Sequence, residues 1–227
     1  MLPKKVDWQL VVLVCSIIII MIMGVRQSLG LFLEPISQFM KDGKEFFSFA
    51  IGFQAIIWGV VTFGLGILID KFGPQKVLAF GIICFASGIF LMSNPANQLT
   101  LFSATTLMGF GLGGAGMATM VSIAGKVAPP EKRSLAMGLI AAAASFGQFA
   151  VVLPTMWMNK EFGWETSLVV LSTISISLLL LLPLLNNTNV TNNKKEEFQN
   201  SLQNTLMFSL KERNYILLIM GFFVCGF

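Results

Sequence analysis

Six uninterrupted apolar runs dominate this chain, each near the ~20 residues that a helix needs to cross ~30 Å of hydrocarbon. They extend from about Leu10 to Leu33, Phe47 to Ile69, Val77 to Ser93, Leu99 to Ala124, Ser134 to Trp157 and Ser167 to Leu185. Their connectors are too short, and their faces too uniformly apolar, for six helices of a soluble domain. Strands of a membrane barrel would be shorter and would alternate polar with apolar residues, which these runs do not. A seventh run starts near Tyr215, and its thirteen residues to Phe227 give ~20 Å at 1.5 Å per residue, so the sequence is expected to stop in mid-helix. Composition agrees with this reading. Apolar residues make up 55% of the 227 and charged residues 11%, against about a quarter charged in a soluble domain. The expected fold class is all-α, a polytopic membrane bundle of six helices plus the start of a seventh.

Composition also narrows the chemistry. The chain has no histidine, which removes the commonest general base and metal ligand. Cys15, Cys84 and Cys225 lie inside apolar runs at separations that match no zinc or redox pattern, and read as small buried hydrophobes. The first run is longer than the core of a signal peptide and no small-residue cleavage pattern follows it, so it reads as a retained helix. With the N-terminus in the cytoplasm, eleven of the fifteen Lys and Arg residues fall inside: Lys4, Lys5, Lys71, Lys76, Lys126, Lys132, Arg133, Lys194, Lys195, Lys211 and Arg213. Lys41, Lys44 and Lys160 fall outside, and Arg26 lies within the first span. This asymmetry predicts a cytoplasmic N-terminus. The net charge of +4 is then a topology signal and not evidence for a nucleic-acid partner. The glycosylation-like triplets at Asn186 and Asn189 fall in a loop that the count places inside, and read as accidents of an Asn-rich linker. The expected organisation is a bundle over residues 1–185, a cytoplasmic linker over 186–212 and the start of a second bundle over 213–227.

Few polar residues interrupt the spans. Arg26 lies sixteen residues beyond Leu10, ~24 Å along a helix. Arginine at the centre of a span costs about 3 kcal/mol on insertion scales, and such a residue faces a cavity or a partner. Its planar fork of donors suits a carboxylate. Two alternatives stand beside that reading: a charge pair with Glu34, or a helix that unwinds near Gly30 and Pro35 and leaves Arg26 nearer the surface. Gln54 and Trp58, one turn apart in the second span, and Gln148 in the fifth, are each open to a substrate contact or an interhelical hydrogen bond. The fourth span contains Gly109-Phe-Gly111-Leu-Gly113-Gly114-Ala-Gly116. As text it holds the Gly-x-Gly-x-x-Gly fingerprint, but no strand precedes it and no acidic ribose ligand follows, so a dinucleotide site is rejected. Gly109 and Gly113 instead form a close-packing pair. The fifth span is rich in small residues, among them Gly138, Ala141, Ala144 and Gly147, and carries Pro154 near its end.

The loop between the second and third spans reads Gly66-Ile-Leu-Ile-Asp70-Lys71-Phe72-Gly73-Pro74-Gln75-Lys76. From the residues alone it is a tight cytoplasmic turn: Gly66 permits close helix approach, Gly73-Pro74 makes the bend, and Lys71 and Lys76 hold it inside. The segment resembles the signature loop between helices two and three of the major facilitator superfamily, departing from it at Gln75, where a base is usual. The resemblance implies a gating latch, with Asp70 engaging a helix of the second half. The loop Pro129-Pro130-Glu131-Lys132-Arg133 resembles the family's basic loop before helix five. Gly24-Val25-Arg26-Gln27-Ser28-Leu29-Gly30 with Phe32 and Pro35, then Phe162-Gly163-Trp164, then Gly221–Phe227, are similar to the bacterial branch related to monocarboxylate transporters and oxalate/formate antiporters. Gly147-Gln148 is not the Gly-Pro pair of many antiporters in the family, so antiport does not follow.

The resemblance implies a twelve-helix transporter, of which this is the N-terminal six-helix half built from two inverted three-helix units, with the substrate held at the midplane and moved by alternating access. The expected function is secondary transport of small organic anions, monocarboxylates in particular. Arg26, Gln54 and Gln148 would bind substrate, and Gly66, Asp70, Lys71, Gly73 and Lys76 would form the gate. Expected partners are the bilayer of a bacterial plasma membrane, a small carboxylate, and a second six-helix half or second chain; no cofactor, metal or nucleic acid is expected. No span holds a central acid or histidine for a proton relay, so the coupling ion and direction stay open. A non-transporting half-bundle that acts as a structural or sensing partner is the alternative. A membrane enzyme would lack an acid pair or metal ligands to work with.

Overall fold

The computed structural model describes residues 8–40 and 44–185, apart from the side chains of residues 63, 67 and 70–72. The expected linker and seventh helix, residues 186–227, lie outside the described residues, as do Lys4, Lys5, Lys41 and Cys225. Among the described residues, six helical columns are long and apolar enough to cross a membrane. They are α1 (Trp8–Met40), α2 (Lys44–Phe72), α3 (Pro74–Met92), α4 (Gln98–Val127), α5 (Pro130–Phe162) and α6 (Trp164–Leu185). Fold class and span count are as the sequence predicts.

The columns differ from the apolar runs at their ends and in their interiors. α1 runs seven residues past Leu33, straight through Pro35. Proline at 35 cannot donate to the carbonyl four residues back, that of Leu31. The backbone tightens into a 3-10 turn over Leu29–Phe32, and the Asn159 side-chain amide of α5 donates to the Leu31 carbonyl at 3.4 Å instead. α5 shows the same physics. Pro154 leaves the carbonyl of Ala150 without its helical donor, the helix is interrupted at Val151, and Thr155 returns both its N–H and its hydroxyl to the Val151 carbonyl. The column therefore continues to Phe162, beyond the expected end at Trp157. Between α2 and α3 there is one residue. Gly73, at φ +87°, makes a turn that a side chain would strain, and Pro74 starts the next helix at its first position. The Asn97 side chain caps α4 by accepting from the Thr100 N–H at 2.8 Å.

α1, α3 and α4 form the buried centre around Ile18, Ile22, Phe32, Ile82, Phe85, Met108 and Leu112. Cys15 lies in this centre and Cys84 is buried too, as the sequence predicts. α2 and α5 expose broad apolar faces, including Phe49, Ile56 and Val60 on one and Phe146, Phe149 and Leu153 on the other.

The glycines of α4 serve two seams at once. A Cβ on Gly109 would lie 2.9 Å from Ile57 Cγ2 of α2, and one on Gly113 would lie 2.7 Å from Val61 Cγ1. Gly111 and Gly114 face α3, where a Cβ would come within 2.6 Å of the Phe85 nitrogen and 2.9 Å of Gly81 Cα. A third seam joins α1 to α5. Gly24 meets the Gly147 carbonyl and Val151, and Gly147 meets the backbone of Ile20. Backbone approach of this kind is how membrane helices gain contact where hydrocarbon offers no hydrophobic drive. The Ser172 hydroxyl pins α6 to the Ala86 carbonyl of α3 at 2.9 Å.

Candidate functional site

Arg26 occupies the last regular turn of the first helical segment of α1, just before the 3-10 turn. Its guanidinium carbon lies 4.7 Å from the centre of the Trp58 ring, so the cation of α1 rests against the indole of α2. Such a contact contributes ~0.5–2 kcal/mol, more as water is excluded. Neither structural alternative for Arg26 forms. Glu34 pairs instead with Lys44, the first residue of α2, and accepts from the Gln38 amide at 3.0 Å. The helix tightens near Gly30 rather than unwinding, and Arg26 stays half-buried. Among the described residues, no carboxylate pairs with Arg26.

Gln54 sits one turn before Trp58 on the same helix. It is 2% exposed, and its Nε2 has no hydrogen-bond partner among the described residues. A buried donor without an acceptor costs about 1–3 kcal/mol. The indole nitrogen of Trp58 approaches Gly116 of α4, 3.3 Å from where a Cβ would stand. At Gly116 the backbone is extended (φ −82°, ψ −171°) and α4 breaks into two segments. Donors therefore recur along this stretch: the guanidinium over the indole, the indole N–H and, one turn earlier on α2, the unsatisfied amide. An acceptor-bearing anion matches that set.

The other residues singled out in the sequence lie elsewhere. Gln148 is exposed on α5, next to the Gly147 that packs against α1. Asp70 and Lys71 are in the last turn of α2, twelve residues or more beyond Trp58, ~18 Å along the helix; their side chains lie outside what is described. Lys76 is exposed. Gly66 is also exposed, and nothing described lies within 4 Å of a Cβ built on it, so the close helix approach expected there is not made by the described residues. Gln75, the departure from the loop pattern, donates its amide to the Leu182 carbonyl at 2.6 Å, tying the loop to the last turns of α6. Sequence reasoning missed that bond, the Arg26–Trp58 stack and the break at Gly116. Only the stack had a signal, in that Trp58 shares the face of Gln54.

Six helices among the described residues long and apolar enough to cross a membrane, with a half-buried cation between α1 and α2, define a multi-pass membrane protein. The chain belongs to the major facilitator superfamily, whose family model matches residues 11–227. It is 23% identical over 210 residues to an uncharacterized MFS-type transporter, YcxA, of Bacillus subtilis, covering 89% of this chain and 50% of that protein. It is 28% identical over 167 residues to the agnestins efflux protein AgnL12 of Paecilomyces divaricatus, covering 72% and 36%. It is 28% identical over 145 residues to a protein named as a probable 4-methylmuconolactone transporter of Cupriavidus pinatubonensis, covering 54% and 34%. The chain thus spans from about a third to half the length of these relatives.

Proposed function

We propose that this chain is the N-terminal six-helix half of a secondary transporter of small organic anions, monocarboxylates of the branch noted above. It works by alternating access together with a second six-helix half in a bacterial plasma membrane. The observation that carries the reading is Arg26 stacked on Trp58 with no carboxylate paired to it among the described residues. A guanidinium kept at depth at a cost of about 3 kcal/mol has a use there, and a substrate carboxylate supplies the missing charge. The transporter names of the relatives support the activity; the anion rests on Arg26. In this reading Gln54 lines the same site, Gly109 and Gly113 set the approach of α2 to α4, and Gly66, Asp70, Lys71, Gly73 and Lys76 form the gate. Gln148, exposed on α5, would reach the substrate from the side open to the second half. The test is uptake of labelled monocarboxylates by cells carrying the whole transporter. Arg26→Ala should abolish uptake while the amount of protein in the membrane persists; unchanged uptake kinetics would remove Arg26 from the site.

A further inference from the structure

The carboxylate reading leaves one group unused. Gln54 is buried to 2% exposure in a membrane span, and its amide nitrogen donates to nothing among the described residues. A residue kept for interhelical bonding would have its donor satisfied by the neighbouring helix. Here the α4 residue packed against the Gln54 backbone is Gly109, which carries no side chain to accept a bond. The same helix places Trp58 one turn further on, under the Arg26 guanidinium. Gln54 and the Arg26–Trp58 stack are thus displaced by ~6 Å along α2.

We propose that Gln54 reads a second hydrogen-bond acceptor on the ligand, about one helical turn from the carboxylate held by Arg26 over Trp58. The inference rests on the carboxylate reading and deepens it. The substrate class becomes a carboxylate with a carbonyl or hydroxyl oxygen three or four carbons from the carboxyl group. An oxygen beside the carboxylate is too close to reach both groups. Discrimination should be large, because a ligand without the second oxygen leaves the buried donor unpaired, whereas a site that only packs against the chain tells such ligands apart weakly.

The test compares pentanoate with 4-oxopentanoate, two anions of equal charge and chain length that differ by one acceptor. Binding is measured by calorimetry on the whole protein in lipid nanodiscs. The protein should bind 4-oxopentanoate at least ~10-fold more tightly than pentanoate. Gln54→Leu, with Gln54→Met as a second variant of similar volume, should bring that ratio near one, the larger loss falling on 4-oxopentanoate. The ligand-free variants should also melt no lower than the parent, because an unpaired buried donor has been removed. A residue with a structural hydrogen bond would give the opposite: a lower melting temperature, with both affinities falling together. Equal binding of the two acids by the parent protein, or a preference that survives in both variants, overturns this inference alone. Failure of the folded protein to bind either acid overturns the Arg26 reading and this inference with it.

Discussion

A lysine at position 26 would keep the charge and lose both the planar fork and the flat face that rests on Trp58. Arg26→Lys should therefore weaken carboxylate binding roughly tenfold or more, despite the retained charge. Trp58→Phe preserves a ring under the cation and should bind within a few-fold of the parent, while Trp58→Leu should approach the Arg26→Lys loss. Titration of each variant with the same anion checks the order; a leucine as good as the ring would show that the stack is incidental. Arg26 could be singled out in the sequence because a charge at depth is costly wherever it points. Trp58 could be singled out beside Gln54, but its pairing with Arg26 could not, since the stack joins two helices and no spacing along the chain encodes it. Gln54 and Gln148 show the limit more sharply. Both are single amides in apolar spans, yet one is buried with its donor unsatisfied and the other is exposed. The spans are apolar on all sides, so periodicity does not say which face turns inward.

The glycine positions divide by what they face. A side-chain carbon added at Gly111 would stand within 2.6 Å of the Phe85 backbone, whereas one added at Gly59 would meet open space. Gly111→Ala should cost on the order of 1–3 kcal/mol by forcing α3 from α4. Gly59→Ala should be neutral or stabilising by up to ~1 kcal/mol, through helix propensity. Melting temperatures of the two variants in one detergent should fall on opposite sides of, or at least well apart around, the parent value. Equal shifts would mean that the α3–α4 contact is looser than the structure has it. The existence of each helix was legible from apolar length, and so was the Gly109/Gly113 spacing. The second seam, through Gly111 and Gly114, was not separated from the first, because interleaved small residues give the same text for one face or two. The expected helix ends fell short at Leu33, just before Pro35, and at Trp157, past Pro154; hydrogen bonds from Asn159 and Thr155 accompany the continuation of each column.

Orientation belongs to the whole molecule, and the distribution of basic residues predicts it. Lys76 and Lys160 are both exposed, and they fall on opposite sides in that reading. Cells carrying Lys160→Cys should be labelled from outside by a membrane-impermeant thiol reagent, and those carrying Lys76→Cys only after lysis; the reverse pattern would invert the topology. At this scale the count of spans was plain in the sequence, whereas the burial of α1, α3 and α4 between the more exposed α2 and α5 was not. The seams of that centre also decide how its sequence can drift over generations. Glycine has no smaller replacement, so every mutation there adds atoms. Against α2 the added atoms first meet the Ile57 and Val61 side chains, which a second mutation can trim, with the Gln54 carbonyl and the Thr62 nitrogen next at 3.0 and 3.2 Å. Against α3, and where α1 crosses α5, they meet the main chain of Phe85, Gly81 and Ile20, which no mutation can shorten. Second-site revertants should therefore arise more readily for changes at Gly109 and Gly113 than for changes at Gly111, Gly114 and Gly147.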